Sequence, residues 1–245
     1  HRQWATFFEP DGAQMAFPCF DEPSLKATFV VTLVRPAGLT TVSNMPLQIS
    51  RNRSKSLIED TFQQTPVMST YTLAWYLFDK HSSECSLLFI QVTVYGIDVK
   101  DTVASKVLAS AKKYLEYFQH YFGITYTLPK LDIITITKFR FGGMENWGAI
   151  MMKNSIIRSA DDNAIAHEVI HQWLGNLATS SWWNCIWLHE APTYYLSYLA
   201  TFQRMGSQSE YVSSFLWCTY VTIIGNYLKR GPPATMKIVF SGSAD

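Results

Sequence analysis

Residues 167–190, HEVIHQWLGNLATSSWWNCIWLHE, hold the side chains of this chain best suited to chemistry. His167 and His171 are four positions apart, so on a helix both imidazoles leave one face and can grip one metal ion. Glu168, beside the first histidine, can reach a water on that metal rather than the metal itself. Glu190 follows His171 by nineteen positions, enough chain for a turn and the start of a second helix that returns a carboxylate to the same place. Two neutral imidazoles and one carboxylate leave a zinc ion one open position, as a catalytic site requires; a structural site would need a fourth protein ligand. His189 is not that ligand, because neighbours on a helix point about 100° apart.

Upstream lies FGGMENWG, residues 141–148. Gly142-Gly143-Met144-Glu145-Asn146, then HExxH at 167–171, then Glu190 after eighteen further residues, together resemble the gluzincin zinc aminopeptidases of the aminopeptidase N and oxytocinase type. PCFDEP at 18–23, MSTYTLAW at 68–75, HQWLGNL at 171–177 and WWNCIWLHE at 182–190 extend the resemblance from about Trp4 to Leu199. It implies one zinc per chain held by His167, His171 and Glu190, with Glu168 as the general base. It also implies a substrate-binding loop of Gly142, Gly143, Met144, Glu145 and Asn146.

A carboxylate beside the metal, on a loop after a strand, can bind the ammonium of a free peptide N-terminus and so select the first peptide bond. The resemblance gives that role to Glu145, helped by Glu9 in Phe8-Glu9-Pro10-Asp11. It also points to an oxyanion-stabilising tyrosine. Tyr227, in Tyr227-Leu228-Lys229-Arg230-Gly231, fits that context with one extra residue and is equally readable as an ordinary core or surface tyrosine.

The chain departs from the family pattern in several places. GAMEN is GGMEN here, a form resembling the epoxide-hydrolase branch, whereas Trp147-Gly148 resembles the aminopeptidase N branch. The family's NEGFA is His189-Glu190-Ala191-Pro192-Thr193, and Pro192 suits only the first turn of a helix. Cys185 stands where the family has aspartate, and Phe7 where it has glutamine. The stretch from Glu145 to His167 is about ten residues shorter than the family's. The expected partners are peptides with a free N-terminus. Two alternatives stand beside this: a catalytically impaired relative acting as a receptor or peptide-binding surface, and, on Gly143 alone, lipid epoxide hydrolysis.

The elements that must position these groups fall into two stretches. Residues 1–98 read as short strands at Thr28 to Val34, Ser56 to Thr61, Tyr71 to Phe78 and Leu87 to Tyr95, the pattern of an antiparallel sandwich. From 99 to 245 the pattern changes. Asp101 can cap a helix carrying Val103, Val107, Ala111, Leu115, Phe118 and Phe122 at helical spacing, and Gly123 ends it. Leu131 to Thr137 reads as a strand, Ala160 to Leu174 as the metal-binding helix, and about 190 to 204 as the helix of the third ligand. The expected fold is multi-domain: the later part of an N-terminal antiparallel β-sandwich domain, followed by a thermolysin-like α+β catalytic domain. Family members carry more sequence at both ends, so the chain is expected to be a piece of a longer protein.

Composition is compatible with this and excludes little else. The 245 residues are 48% hydrophobic and 15% aromatic, with a net charge of +1 and no basic run that would favour nucleic acid. No apolar stretch is long enough to span a bilayer, so a membrane anchor would lie outside this sequence. Cys19, Cys85, Cys185 and Cys218 lie far apart and read as buried free thiols. The sequon Asn52-Arg53-Ser54 in a polar stretch points to the secretory route or the outer face of the plasma membrane, with the cytoplasm as the alternative.

Overall fold

The structure, a computed structural model, describes residues 2–79, 90–96 and 99–202, together with the backbone of 82–87 and 238–240. The first strands are β1 (Gln3–Ala5), β2 (Thr32–Pro36), β3 (Leu39–Ser43), β4 (Leu47–Asn52), β5 (Leu57–Phe62) and β6 (Trp75–Asp79). They form two three-stranded antiparallel sheets, ordered β1-β6-β3 and β2-β5-β4. Asp60, on the middle strand of the second sheet, is buried and accepts hydrogen bonds from Arg35, Thr41 and Ser50.

Next come β7 (Ser82–Leu87), β8 (Ile90–Tyr95), α1 (Asp101–Phe122), β9 (Lys130–Ile136), β10 (Gly143–Met144) and β11 (Ala149–Lys153). They build a five-stranded sheet in the order β10-β11-β9-β8-β7, parallel through β8, β9 and β11 and antiparallel at both edges. All seven residues of β9 are buried, as a central strand covered on both faces requires. Strands β7 and β8, which precede the boundary expected at 98/99, thus share a sheet with β9, β10 and β11, which follow it. The remaining elements are α2 (Asn154–Ser159), α3 (Asp162–Ile170), β12 (Ala178–Ser180), α4 (Trp187–Phe202) and β13 (Ile238–Phe240), which pairs with β12.

Helix α1 forms because Ala104, Val107, Leu108, Ala111, Tyr114, Leu115 and Phe118 recur every three or four positions and make one buried stripe. Gly123 ends it in the left-handed conformation at φ +64. Lys100 rather than Asp101 occupies the cap, and Asp101 is the first helical residue, where its charge suits the helix dipole. Leu115 and Phe118 join Ile133, Ile150, Ala166, Val169 and Trp173 in the main core. A second cluster of Tyr71, Tyr76, Phe78, Met144, Ala149 and Met151 joins β6 to the β10–β11 hairpin.

Polar ties lock the N-terminal sheets to that hairpin. Lys130 is buried and pairs with Asp132 at 2.7 Å while donating to the carbonyls of Ser43 and Gly148, both at 2.8 Å. Asn44 donates to the carbonyls of Thr72 and Trp147, also at 2.8 Å.

Several boundaries differ from those expected. The strand expected at Thr28 to Val34 is ladder only from Thr32; earlier residues pair through single bonds, such as Thr65 N to the Phe29 carbonyl. Tyr71 to Phe78 is a strand only from Trp75. Residues Thr70–Thr72 turn as a 3₁₀ helix because the Thr72 carbonyl is taken by Trp147 N and Asn44. Leu87 to Tyr95 is the end of one strand and the whole of the next, paired as a hairpin through Leu87 and Ile90.

The metal-binding helix is shorter than Ala160 to Leu174. Ala160 has φ +48 and closes α2, and Asp161 caps α3 by accepting from Asn163 N and Ala164 N at 3.1 Å. Helix α4 starts at Trp187, not near 190, so Pro192 lies in its second turn. The helix continues past it, and Pro192, which has no N–H, cannot donate to the Leu188 carbonyl.

Candidate metal centre

His167 lies in the last turn of α3 and His171 at its C-cap, where His171 N still bonds the His167 carbonyl at 3.2 Å. The helical spacing therefore persists to the end, and the two Nε2 atoms lie 3.0 Å apart. Glu190, in the first turn of α4, reaches back: Oε2 is 3.5 Å from His167 Nε2 and Oε1 is 3.6 Å from His171 Nε2. One ligand atom from each residue falls within 4.8 Å of the others. His171 Nδ1 lies 2.9 Å from the Leu174 carbonyl, which fixes the proton there and leaves Nε2 free to bind a metal. These donors fit a zinc ion. His189 is turned away, its Nε2 accepting from Ser180 N at 2.8 Å.

Four carboxylates share this neighbourhood. Burial, reinforced by Glu145, Glu190 and Glu9, pushes Glu168 well above the ordinary range, and its Oε2 has no partner among the described residues. Burial and Glu190 raise Glu145 to about 8, while burial, Glu145 and Glu190 raise Glu9 to about 9. Burial alone would raise Glu190 too, but the adjoining His171 and His167 outweigh it and hold Glu190 at about 2. Burial and His171 lower His167, favouring the neutral ring that ligates a metal. So much buried and half-buried acid in one place suits a site whose partners are positively charged.

Glu145 sits on the turn between β10 and β11. Gln172 and Asn176 donate to its carbonyl at 3.1 and 2.8 Å, and Gln172 also accepts from Gly148 N at 3.0 Å. Gly148 turns at φ +74, and a Cβ there would meet the Asn44 carbonyl at 2.6 Å, so only glycine fits. Of the other loop residues, Gly142 is exposed and Gly143 packs against Glu168. Met144 lies in the second core cluster, and Asn146 is fully buried with its amide donating to Tyr76 Oη at 2.8 Å. Those two side chains support the turn from behind. Tyr227 lies outside the described residues.

The site also contains residues not expected from the sequence. Tyr71 donates to the Gly175 carbonyl at 3.0 Å and is raised well above the usual phenol range by burial, with Glu145, Glu9 and Glu190 adding to it. Tyr194 lays its ring 4.3 Å from that of His167. Its position four after Glu190 was a usable signal, since i and i+4 share a helix face. Gln172, four after Glu168, carried the same signal.

Comparisons with known proteins show what the chain is similar to. Residues 107–225 match the peptidase family M1 domain, and residues 1–72 match the peptidase M1 N-terminal domain. The chain is 39% identical over 208 residues to endoplasmic reticulum aminopeptidase 1 of Mus musculus, covering 80% of this chain and 22% of that protein. It is 36% identical over 221 residues to tricorn protease-interacting factor F2 of Thermoplasma volcanium, covering 86% of this chain and 28% of that one. With the thyrotropin-releasing hormone-degrading ectoenzyme of Rattus norvegicus it shares 33% over 210 residues, 80% of this chain and 20% of the relative. The chain thus spans less than a third of each relative's length.

Proposed function

The chain belongs to peptidase family M1, and on that premise we propose that it is the zinc-binding part of an aminopeptidase that hydrolyses the first peptide bond of peptides. The observation that carries the proposal is the convergence of His167, His171 and Glu190 beside the buried Glu145 and the half-buried Glu9. Zinc held by the two Nε2 atoms and the Glu190 carboxylate would act as a Lewis acid and activate water near neutral pH. Glu168 is the group that takes the proton of the attacking water and passes it to the departing amine; the charge of a bound zinc would offset the burial that otherwise keeps its carboxyl protonated.

Glu145 and Glu9 bind the substrate ammonium, and their mutual repulsion is relieved when that cation arrives. Gln172 and Asn176 fix the Glu145 backbone, so the amine is held at a set distance from the metal. Gly142 and Gly143 offer the substrate backbone rather than side chains. Tyr227 would supply the oxyanion donor.

The same reading makes the two N-terminal sheets part of a β-sandwich and assigns the five-stranded sheet, β7 and β8 included, to a thermolysin-like domain. It places the protein in the secretory route or on the outer face of the plasma membrane, supported by the exposed sequon at Asn52 and by relatives named for the endoplasmic reticulum and as an ectoenzyme. No helix among the described residues is long and apolar enough to cross a membrane.

The deciding experiment is metal analysis of the full-length protein together with turnover of an aminoacyl-arylamide. About one zinc per chain and chelator-sensitive turnover are expected. Bound zinc without turnover would favour a non-catalytic peptide-binding relative, to which the rebuilt segment around Pro192 lends support. Folded protein without zinc would overturn the assignment.

A further inference from the structure

The two histidines differ in how the second ring nitrogen is held. His171 Nδ1 has the Leu174 carbonyl. His167 Nδ1 is buried, and among the described residues no atom accepts from it. A metal-ligating histidine almost always donates its other N–H to a carboxylate, a carbonyl or water, which fixes the tautomer and the ring. Against His167 stands the Tyr194 ring instead, with centroids 4.3 Å apart and planes at 52°.

The packing of α3 on α4 explains this. His167 faces Glu190 and Tyr194, while Asn163, one turn earlier, donates to Ser197 Oγ at 3.3 Å and Thr201 Oγ1 at 3.5 Å. The helices are therefore antiparallel, and residues 190, 194, 197 and 201 make one stripe of α4 turned toward α3. After Glu190 that stripe offers no carboxylate. Ser197 donates its hydroxyl to the Tyr194 carbonyl at 2.9 Å, and Thr201 bonds the Ser197 carbonyl at 2.9 Å. Both short side chains are engaged within their own helix. Glu190 is committed to the Nε2 side of both rings.

We infer that Tyr194 packing, without a hydrogen-bonded partner at Nδ1, orients His167 toward the metal, and that Ser197 marks the position from which a carboxylate would complete the centre. Tyr194 is then a positioning residue that sets metal affinity in this chain, and Ser197 is a position where an acceptor is missing. The metal is held about 10–100-fold more weakly than by the same three ligands with an acceptor at His167 Nδ1. This rests on the reading of His167, His171 and Glu190 as zinc ligands.

The test measures zinc affinity of the full-length protein by competition with a chromophoric chelator, beside variants at the two positions. Ser197→Asp and Ser197→Glu carry a carboxylate at two reaches, and one of them is expected to tighten zinc by about 10–100-fold. Ser197→Ala should give no tightening, and Tyr194→Ala should weaken binding. Nitrogen-15 NMR of the metal-free, unsubstituted protein needs no variant to fold: His171 should be locked as the Nδ1–H tautomer, and His167 should carry its proton on Nε2, donating to His171 Nε2 at 3.0 Å. A His167 ring locked with a hydrogen-bonded Nδ1–H would overturn the inference. So would an unchanged zinc affinity in both carboxylate variants, provided they melt within a few degrees of the parent. In those cases zinc binding by the parent would leave the metal site standing, whereas absence of zinc from parent and variants alike would remove both readings.

Discussion

Gly143 lies so close to Glu168 that a Cβ built on the glycine would fall 2.8 Å from Glu168 Cγ and closer still to its carboxyl group. The carboxyl of the proposed general base thus occupies the space that an alanine methyl would need. Gly143→Ala should therefore cost about 1–3 kcal/mol through overpacking. In a Glu168→Ala background the same change should cost close to nothing. A double-mutant cycle by chemical denaturation checks this, and additive effects would mean that the two residues do not compete for one space.

Glu168→Gln keeps the shape of the side chain and all three metal ligands while removing the base. Zinc content should stay the same and kcat fall by roughly 10²–10⁴-fold. Near-normal turnover in this variant would take Glu168 out of the chemistry.

If Glu145 and Glu9 bind the ammonium, Glu145→Ala should reduce kcat/KM for a free-amine substrate by roughly tenfold to a hundredfold, the worth of one charge-assisted hydrogen bond. An N-acetylated version of the substrate should be cleaved poorly by the parent enzyme. Equal cleavage of blocked and free peptides would rule out the exopeptidase reading.

The buried acids make a prediction about pH. Burial and neighbouring carboxylates raise Glu145 from 4.5 to about 8 and Glu9 from 4.5 to about 9. The folded, metal-free protein consequently holds more protons than the unfolded chain between about pH 4.5 and 9, and its stability should fall as pH rises through that window. Below about pH 4.5 the contribution is fully present. Glu145→Gln should flatten the slope, as should saturating zinc, whose charge favours the ionised carboxylates. Melting temperatures from pH 5 to 9 with and without metal provide the check; a metal-free protein whose stability climbs over this range would contradict it.

The sequence by itself determined that His167 and His171 share one helix face, the start of the proposed metal site. Helical spacing alone puts His167 and His171 on one face, and that local geometry survives even though α3 ends at Ile170. It also located α1, because the apolar stripe from Ala104 to Phe118 repeats with the helical period and Gly123 can turn left-handed at its end. Local regularity of this kind depends on residues a few positions apart, so it can be read from a single chain.

What the tertiary structure decided depends on residues far apart in sequence. The turn at Thr70–Thr72 replaces the start of an expected strand because Asn44 and Trp147 claim the Thr72 carbonyl. Met144 and Asn146 belong to a motif that reads as substrate-binding, yet packing against β6 turns both side chains inward. Pro192 reads as a helix start, yet α4 begins five residues before it at Trp187, so packing along α3 outweighs the roughly 3 kcal/mol that a proline inside a helix costs. The contact between Gly143 and Glu168 spans twenty-five positions and two elements, and no pattern in the chain announces it. The raised pKa values of Glu9 and Glu145 arise in the same way: each carboxyl is ordinary until folding draws it away from water and beside the others.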